Sequence, residues 1–248
     1  PQRNPTDYLY IKSIYNGLTW QRILISDTVQ FAGESMPPAT FNPYTGDFIR
    51  LAGTRNGTVF LKSSKGIDGP YIKTLIDTNR HGMMRQPIFL KKRNRILVSC
   101  SGRSLIQDSL GTMQSRVFYS DDNGDSWKIT YVPVGPRFKP EWPHKKARWQ
   151  NYAIEPTITE LYDSSIWMLL RTSMDNLYET FSYDYGTTWS VPKPSRFYST
   201  LTMPTLFRLK DGRLLLFFCN TTPLPEEDRS ADSTLRIEQK TGDGWEDV

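Results

Sequence analysis

One eight-residue element recurs along the chain and limits its fold more than any other feature. SDDNGDSW stands at 120–127 and SYDYGTTW at 182–189, both fitting S-x-D-x-G-x-[ST]-W, while SIYNGLTW at 13–20 carries Tyr in place of Asp. Weaker endings, GIDGPY at 66–71 and TGDGW at 241–245, continue the series. The closing aromatics Trp20, Tyr71, Trp127, Trp189 and Trp245 are separated by 51, 56, 62 and 56 residues. A near-constant period of this length marks one supersecondary unit repeated in tandem.

The segments between these elements repeat as well. A Pro opens an apolar strand, a charged turn follows, a second apolar strand runs to a polar or Arg-containing end, and a third strand enters the octapeptide. Thus MPPATF, GDFIRLAGTR and GTVFLKS precede the second copy, RQPIFL, NRILVSCSGR and QSRVFYS the third, and EPTITEL, SIWMLLRTS and NLYETFS the fourth. No segment sustains an apolar 3.6-residue period, so the chain reads as all-β. Tandem units of four antiparallel strands predict a β-propeller, whose radial packing protects sheet edges. Pro38, Pro87, Pro156 and Pro204 are expected at first strand residues, where a missing N–H breaks no ladder. Within the octapeptide, Asp accepts turn N–H groups, Gly supplies a left-handed conformation and Trp packs between sheets, so the element is scaffold. Residues 1–248 are expected to form one propeller domain, with about four and a half blades of a ring that is six-bladed when complete, and with its C-terminal part missing.

Charge and cysteine usage narrow the partners. Against 26 acidic residues stand 31 basic ones, for a formal net charge of +5. The densest basic stretches, Lys91–Lys92–Arg93–Arg95 and Lys145–Lys146–Arg148, fall in turns and lack any nucleic-acid motif, so no nucleic acid is expected. His81 and His144 stand alone and no C-x-x-C occurs, so neither a metal nor another cofactor is expected. Cys100 and Cys219 end apolar runs and read as buried free thiols. No apolar run is long enough for a membrane span, and the first residues carry no signal pattern.

Octapeptides of this kind, joined to R-x-P, to E…R and to a strand-end Arg, resemble the Asp boxes and binding motifs of the sialidase (neuraminidase) superfamily over roughly residues 30–248. RQPIFL resembles the family's R-I-P strand opening, with Arg85 and Pro87 matching and Gln86 departing; the resemblance implies that Arg85 belongs to a triad binding the sugar carboxylate. EPTITELYDSSIWMLLRTS resembles the segment with a catalytic Glu and a second triad Arg, which places Glu155 and Arg171 in those roles. SGRSLIQDSLGTMQSRVFYSDD resembles the loop that carries the acid/base Asp, and Asp108 is its available carboxylate. Arg55 and Arg103 end second strands as Arg171 does and are expected at the same rim as secondary ligand contacts. The third Arg and the nucleophilic Tyr are expected in C-terminal sequence beyond this chain; inside it Arg229 is the candidate Arg, and Tyr198 is a poor nucleophile because it precedes a strand-opening Pro.

The chemistry explains this grouping. A sialic acid carries its carboxylate on the anomeric carbon, so a guanidinium cluster fixes the ring bidentately. A carboxylate nucleophile would be repelled there; a Tyr activated by a neighbouring Glu is not, and an Asp protonates the leaving oxygen. The implied activity is that of a retaining exo-sialidase on a glycan or sialoglycoconjugate, in a secreted or periplasmic monomer. A hydrolase for another anionic sugar, such as a uronic acid, and a non-catalytic glycan-binding propeller are the alternatives. Because antiparallel strands reverse direction, Glu155 and Arg171 should share one rim, with Arg85 joining them and the Asp boxes at the far end.

Overall fold

The structure, a computed structural model, describes residues 7–26, 39–67, 69–105, 113–135, 153–172, 176–199 and 202–220. Every regular element among them is a β-strand, and no helix there is long and apolar enough to cross a membrane. The chain divides into two compact units, residues 1–87 and 88–248.

The first unit holds a hairpin of β1 (Asp7–Lys12) and β2 (Gln21–Ser26) and a four-stranded antiparallel sheet of β3 (Thr40–Phe41), β4 (Phe48–Thr54), β5 (Gly57–Ser63) and β6 (Ile72–Asp77) in sequential order. Ala52, Val59 and Leu61 form one core cluster on this sheet, with Tyr71 packed against them, and Ile49, Leu51 and Phe60 are buried as well. Arg50 is buried on β4, with its guanidinium 4.5 Å from the Tyr71 ring centroid and one nitrogen donating to the Ile67 carbonyl at 3.1 Å. His81, which stands alone in the sequence, is buried with Nε2 2.9 Å from Asp77 Oδ2, and its backbone N–H donates to Thr58 Oγ1.

The second unit contains two four-stranded antiparallel sheets and a hairpin. The first sheet comprises β7 (Ile88–Phe89), β8 (Ile96–Arg103), β9 (Met113–Ser120) and β10 (Lys128–Tyr131); the second comprises β11 (Ile154–Glu160), β12 (Ile166–Arg171), β13 (Asn176–Ser182) and β14 (Lys193–Tyr198). The hairpin pairs β15 (Thr205–Arg208) with β16 (Leu214–Phe217). Strands with both faces covered are buried at nearly every position, as in β8, whose ILV start is followed by the buried Ser99, Cys100 and Ser101. Between the two sheets lies one core, in which Leu97 and Val117 meet Ile158, Ile166, Met168, Leu170 and Tyr178, with Trp189 closing it.

The Asp-box turns join β9 to β10 and β13 to β14. Asp122 Oδ1 accepts from the Ser126 N–H at 2.9 Å and from Ser120 Oγ at 2.8 Å, while the Gly124 N–H donates to Ser120 Oγ. In the other turn, Asp184 Oδ1 accepts from the Thr187 and Thr188 N–H groups, and the Gly186 N–H donates to Ser182 Oγ. All three copies place two successive residues at positive φ, Asn16–Gly17, Asn123–Gly124 and Tyr185–Gly186. Gly is required at the last of these, because a Cβ there would also lie 3.1 Å from Leu97. Arg95, itself buried, ties the two turns together: it pairs with both Asp121 oxygens at 2.6 and 2.8 Å and donates to the Tyr185 carbonyl and Thr187 Oγ1.

The aromatic closers differ from one another. Trp189 is 7% exposed, Trp127 half-buried and Trp20 59% exposed; Trp245 lies outside the described residues. Trp20 and Trp127 donate Nε1 to the carbonyl of the turn glycine at 3.0 Å, whereas Trp189, turned into the core, finds no acceptor among the described residues. Cys100 and Cys219 are both free, but Cys219 is exposed against expectation, in line with the alternating exposure along β16 among the described residues. Pro87 and Pro204, expected as first strand residues, stand one residue before β7 and β15; Pro156 instead sits inside β11, and Pro38 lies outside the described residues.

Candidate functional site

Pro156 is tolerated because β11 is an edge strand and is bulged at this point. The register passes from Ile154↔Arg171 to Thr157↔Leu169, three steps on β11 against two on β12. The extra residue interrupts the ladder where Pro has no N–H to give. Glu155 occupies the bulge at φ 51°, a left-handed conformation that costs a glutamate on the order of 1–3 kcal/mol. Its side chain turns to the end of β12, where Arg171 Nη1 donates to Glu155 Oε2 at 2.5 Å. Glu155 is 7% exposed and Arg171 half-buried, so the two charges meet largely out of water.

The bulge is held from the neighbouring sheet by buried serines. The Glu155 N–H donates to Ser101 Oγ at 2.9 Å, Ser99 Oγ donates to the Pro156 carbonyl at 3.4 Å, and Ser115 Oγ donates to the Ala153 carbonyl at 3.2 Å. Leu97, Ser99 and Ser101 alternate on the face of β8 turned to β11, so a core residue and two hydroxyls follow one another at the strand period. That alternation, S-C-S within an apolar run, was the available sequence signal, and it was missed.

Glu155 and Arg171 lie at one end of the β11–β14 sheet and the Asp box at the other, since Glu160 pairs with Ile166 and Ile166 with Ser182. Arg103 is the last residue of β8 and is exposed, with its carbonyl accepting from the buried Arg116. A Cβ at Gly102 would stand 2.9 Å from that guanidinium, so Gly is what admits it. Arg85 precedes β7, half-buried, and Arg55 is exposed in the β4–β5 turn; both belong to the first unit. Asp108 and Arg229 lie outside the described residues. No group of three or more His, Cys, Asp and Glu among the described residues is placed to hold a metal ion. What the assembled part offers is a guanidinium and a carboxylate in contact, with charge for an anion and an acceptor for a proton side by side.

Comparisons with known proteins define the family. The model of the BNR repeat-like domain matches residues 52–248. No curated protein matches the chain. Among solved structures, a protein of unknown function from Dyadobacter fermentans aligns at TM-score 0.62 and 20% identity, covering 86% of this chain and 64% of that one. A mutant of NanB sialidase from Streptococcus pneumoniae aligns at TM-score 0.48 and 20% identity, covering 66% and 24% of the two chains. Trypanosoma rangeli sialidase in complex with sialic acid aligns at TM-score 0.44 and 16% identity, covering 82% and 37%. The chain thus spans less than two thirds of each of these proteins. With a match over most of its length, the chain belongs to the BNR repeat-like domain family.

Proposed function

We propose that this chain is the part of a retaining exo-sialidase that binds the carboxylate of a terminal sialic acid and supplies the general base. The observation that supports this reading is the contact of Glu155 with Arg171 at the end of the sheet opposite the Asp box. Arg171 binds the sugar carboxylate, and Arg85, from its R-x-P motif, is a second member of that triad. Glu155 takes the proton of a tyrosine hydroxyl as its oxygen bonds to the anomeric carbon and the bond to the leaving sugar breaks. Asp108 gives its proton to the leaving oxygen. Arg103 and Arg55 make secondary contacts with the glycan, and Arg229 is the candidate for the third triad Arg. The substrate is a sialoglycoconjugate met outside the cytoplasm, by a secreted or periplasmic monomer.

Turnover of a fluorogenic sialoside by the full-length protein tests the activity. Glu155→Gln is expected to lower kcat by roughly 100-fold or more, as loss of a general base does. Arg171→Ala is expected to weaken a carboxylate-bearing ligand far more than its neutral amide, because a charge-assisted contact is lost. Equal loss for both ligands defeats the role of Arg171, and binding without turnover in the wild type identifies a glycan-binding module instead.

A further inference from the structure

We infer that Ser101 is a positioning residue for Glu155, acting from a different sheet through the backbone and not through the carboxylate. The inference rests on the reading of Glu155 as the base. Three backbone groups at the bulge and just before it, the Ala153 carbonyl, the Glu155 N–H and the Pro156 carbonyl, are engaged by Ser115, Ser101 and Ser99. All three serines are buried, Ser99 and Ser101 completely. Ser101 differs from the other two in accepting from the residue that carries the functional carboxylate, and that residue holds a φ of 51°. Within β11 the bulge takes Glu155 out of the ladder, so its amide finds its acceptor in the next sheet. An unmet amide in this buried place would favour any rotation that brings the N–H to another acceptor, and such a rotation swings the side chain off Arg171. Ser101 therefore fixes where the carboxylate stands while touching neither substrate nor carboxylate.

The experiment compares crystal structures and steady-state kinetics of the full-length protein with those of Ser101→Ala and Ser101→Thr. Ser126→Ala, which removes a serine hydroxyl bond at an Asp box, serves as the purely structural comparison. In Ser101→Ala, Glu155 is expected to leave positive φ and its contact with Arg171 to open. On the sialoside, kcat is expected to fall about tenfold with KM within about twofold, while Ser101→Thr keeps the wild-type values. Ser126→Ala lowers stability and leaves kcat unchanged. If Ser101→Ala does not fold, Ser101→Cys keeps the volume with a weak acceptor and is read in the same way. An unmoved Glu155 with its Arg171 contact intact overturns the inference. A wild type that turns over no sialoside defeats the sialidase reading alone, since the position of Glu155 in the variant structures still decides the role of Ser101.

Discussion

The two ends of the β11–β14 sheet solve the same physical problem in opposite ways. At the Asp-box end, a carboxylate and a tight turn satisfy each other within the eight residues 182–189, through Ser182, Thr187 and Thr188. At the other end, the Glu155 carboxylate meets a guanidinium 16 residues away and its amide meets a hydroxyl 54 residues away. A locally closed turn needs only its own sequence and works at any blade. The distant arrangement works only where two sheets and a bulge coincide, and it holds a carboxylate beside a cation largely out of water. The lesson is that the repeated element closes on its own residues, whereas the end that departs from the repeat is built from residues far apart in the sequence.

The largest expected effect sets the scaffold end apart. Trp189→Ala empties a ring from the core between the sheets and is expected to cost about 3–5 kcal/mol in urea unfolding, with ligand contacts unchanged at temperatures where the variant is folded. A loss near zero would mean that the Asp-box aromatic is not what closes this core.

At the other end, Arg171→Ala leaves Glu155 buried without its cation and is expected to cost about 3 kcal/mol. Combining it with Glu155→Gln should recover most of that loss, because the penalty arises from the uncompensated charge and not from missing volume. A double variant as unstable as the single one would show that this end is held by packing, as the far end is.

The smallest effect is expected in acid. For Asp122, burial pushes the carboxyl up, but hydrogen bonds from Ser126 and Ser120 together outweigh it and hold it below the ordinary 3.8. For Asp184, burial again acts upward and is outweighed by Thr188, Ser182 and Thr187. A carboxyl depressed in the folded state gives stability that is full above its unfolded value and lost as pH falls through the folded one, so the Asp-box contribution should fade below 3.8. Asp184→Asn should make the fall of stability with acid shallower in urea titrations; an unchanged acid slope would remove the carboxyls from the account.

These contrasts also explain what the sequence could disclose. The octapeptides were legible because each carries its partners with it, and the four-strand units because apolar runs separated by turns announce themselves. Glu155 and Arg171 were reached through resemblance to the sialidases, and their proximity through strand direction. The bulge was not legible: Pro156 reads as a strand opener, and only the register with β12 shows that the strand began two residues earlier. Ser99, Ser101 and Ser115 look like ordinary small residues until the second sheet is laid against them. Cys219 misled because the apolar run LLLFFC reads as buried throughout, whereas β16 alternates half-buried and exposed residues.

Arg95 gives this architecture a property that neither sheet has alone. Its guanidinium spans from Asp121 to Tyr185 and Thr187, so one cannot loosen either Asp-box loop without exposing a buried charge to a broken contact. The two loops are therefore expected to share a single opening event, and the Gly124 and Gly186 amides, each bonded to a serine hydroxyl, to exchange their protons with the same free energy. Neighbouring repeats in this chain are thus expected to melt as one cooperative unit, joined by a residue outside the repeat motif.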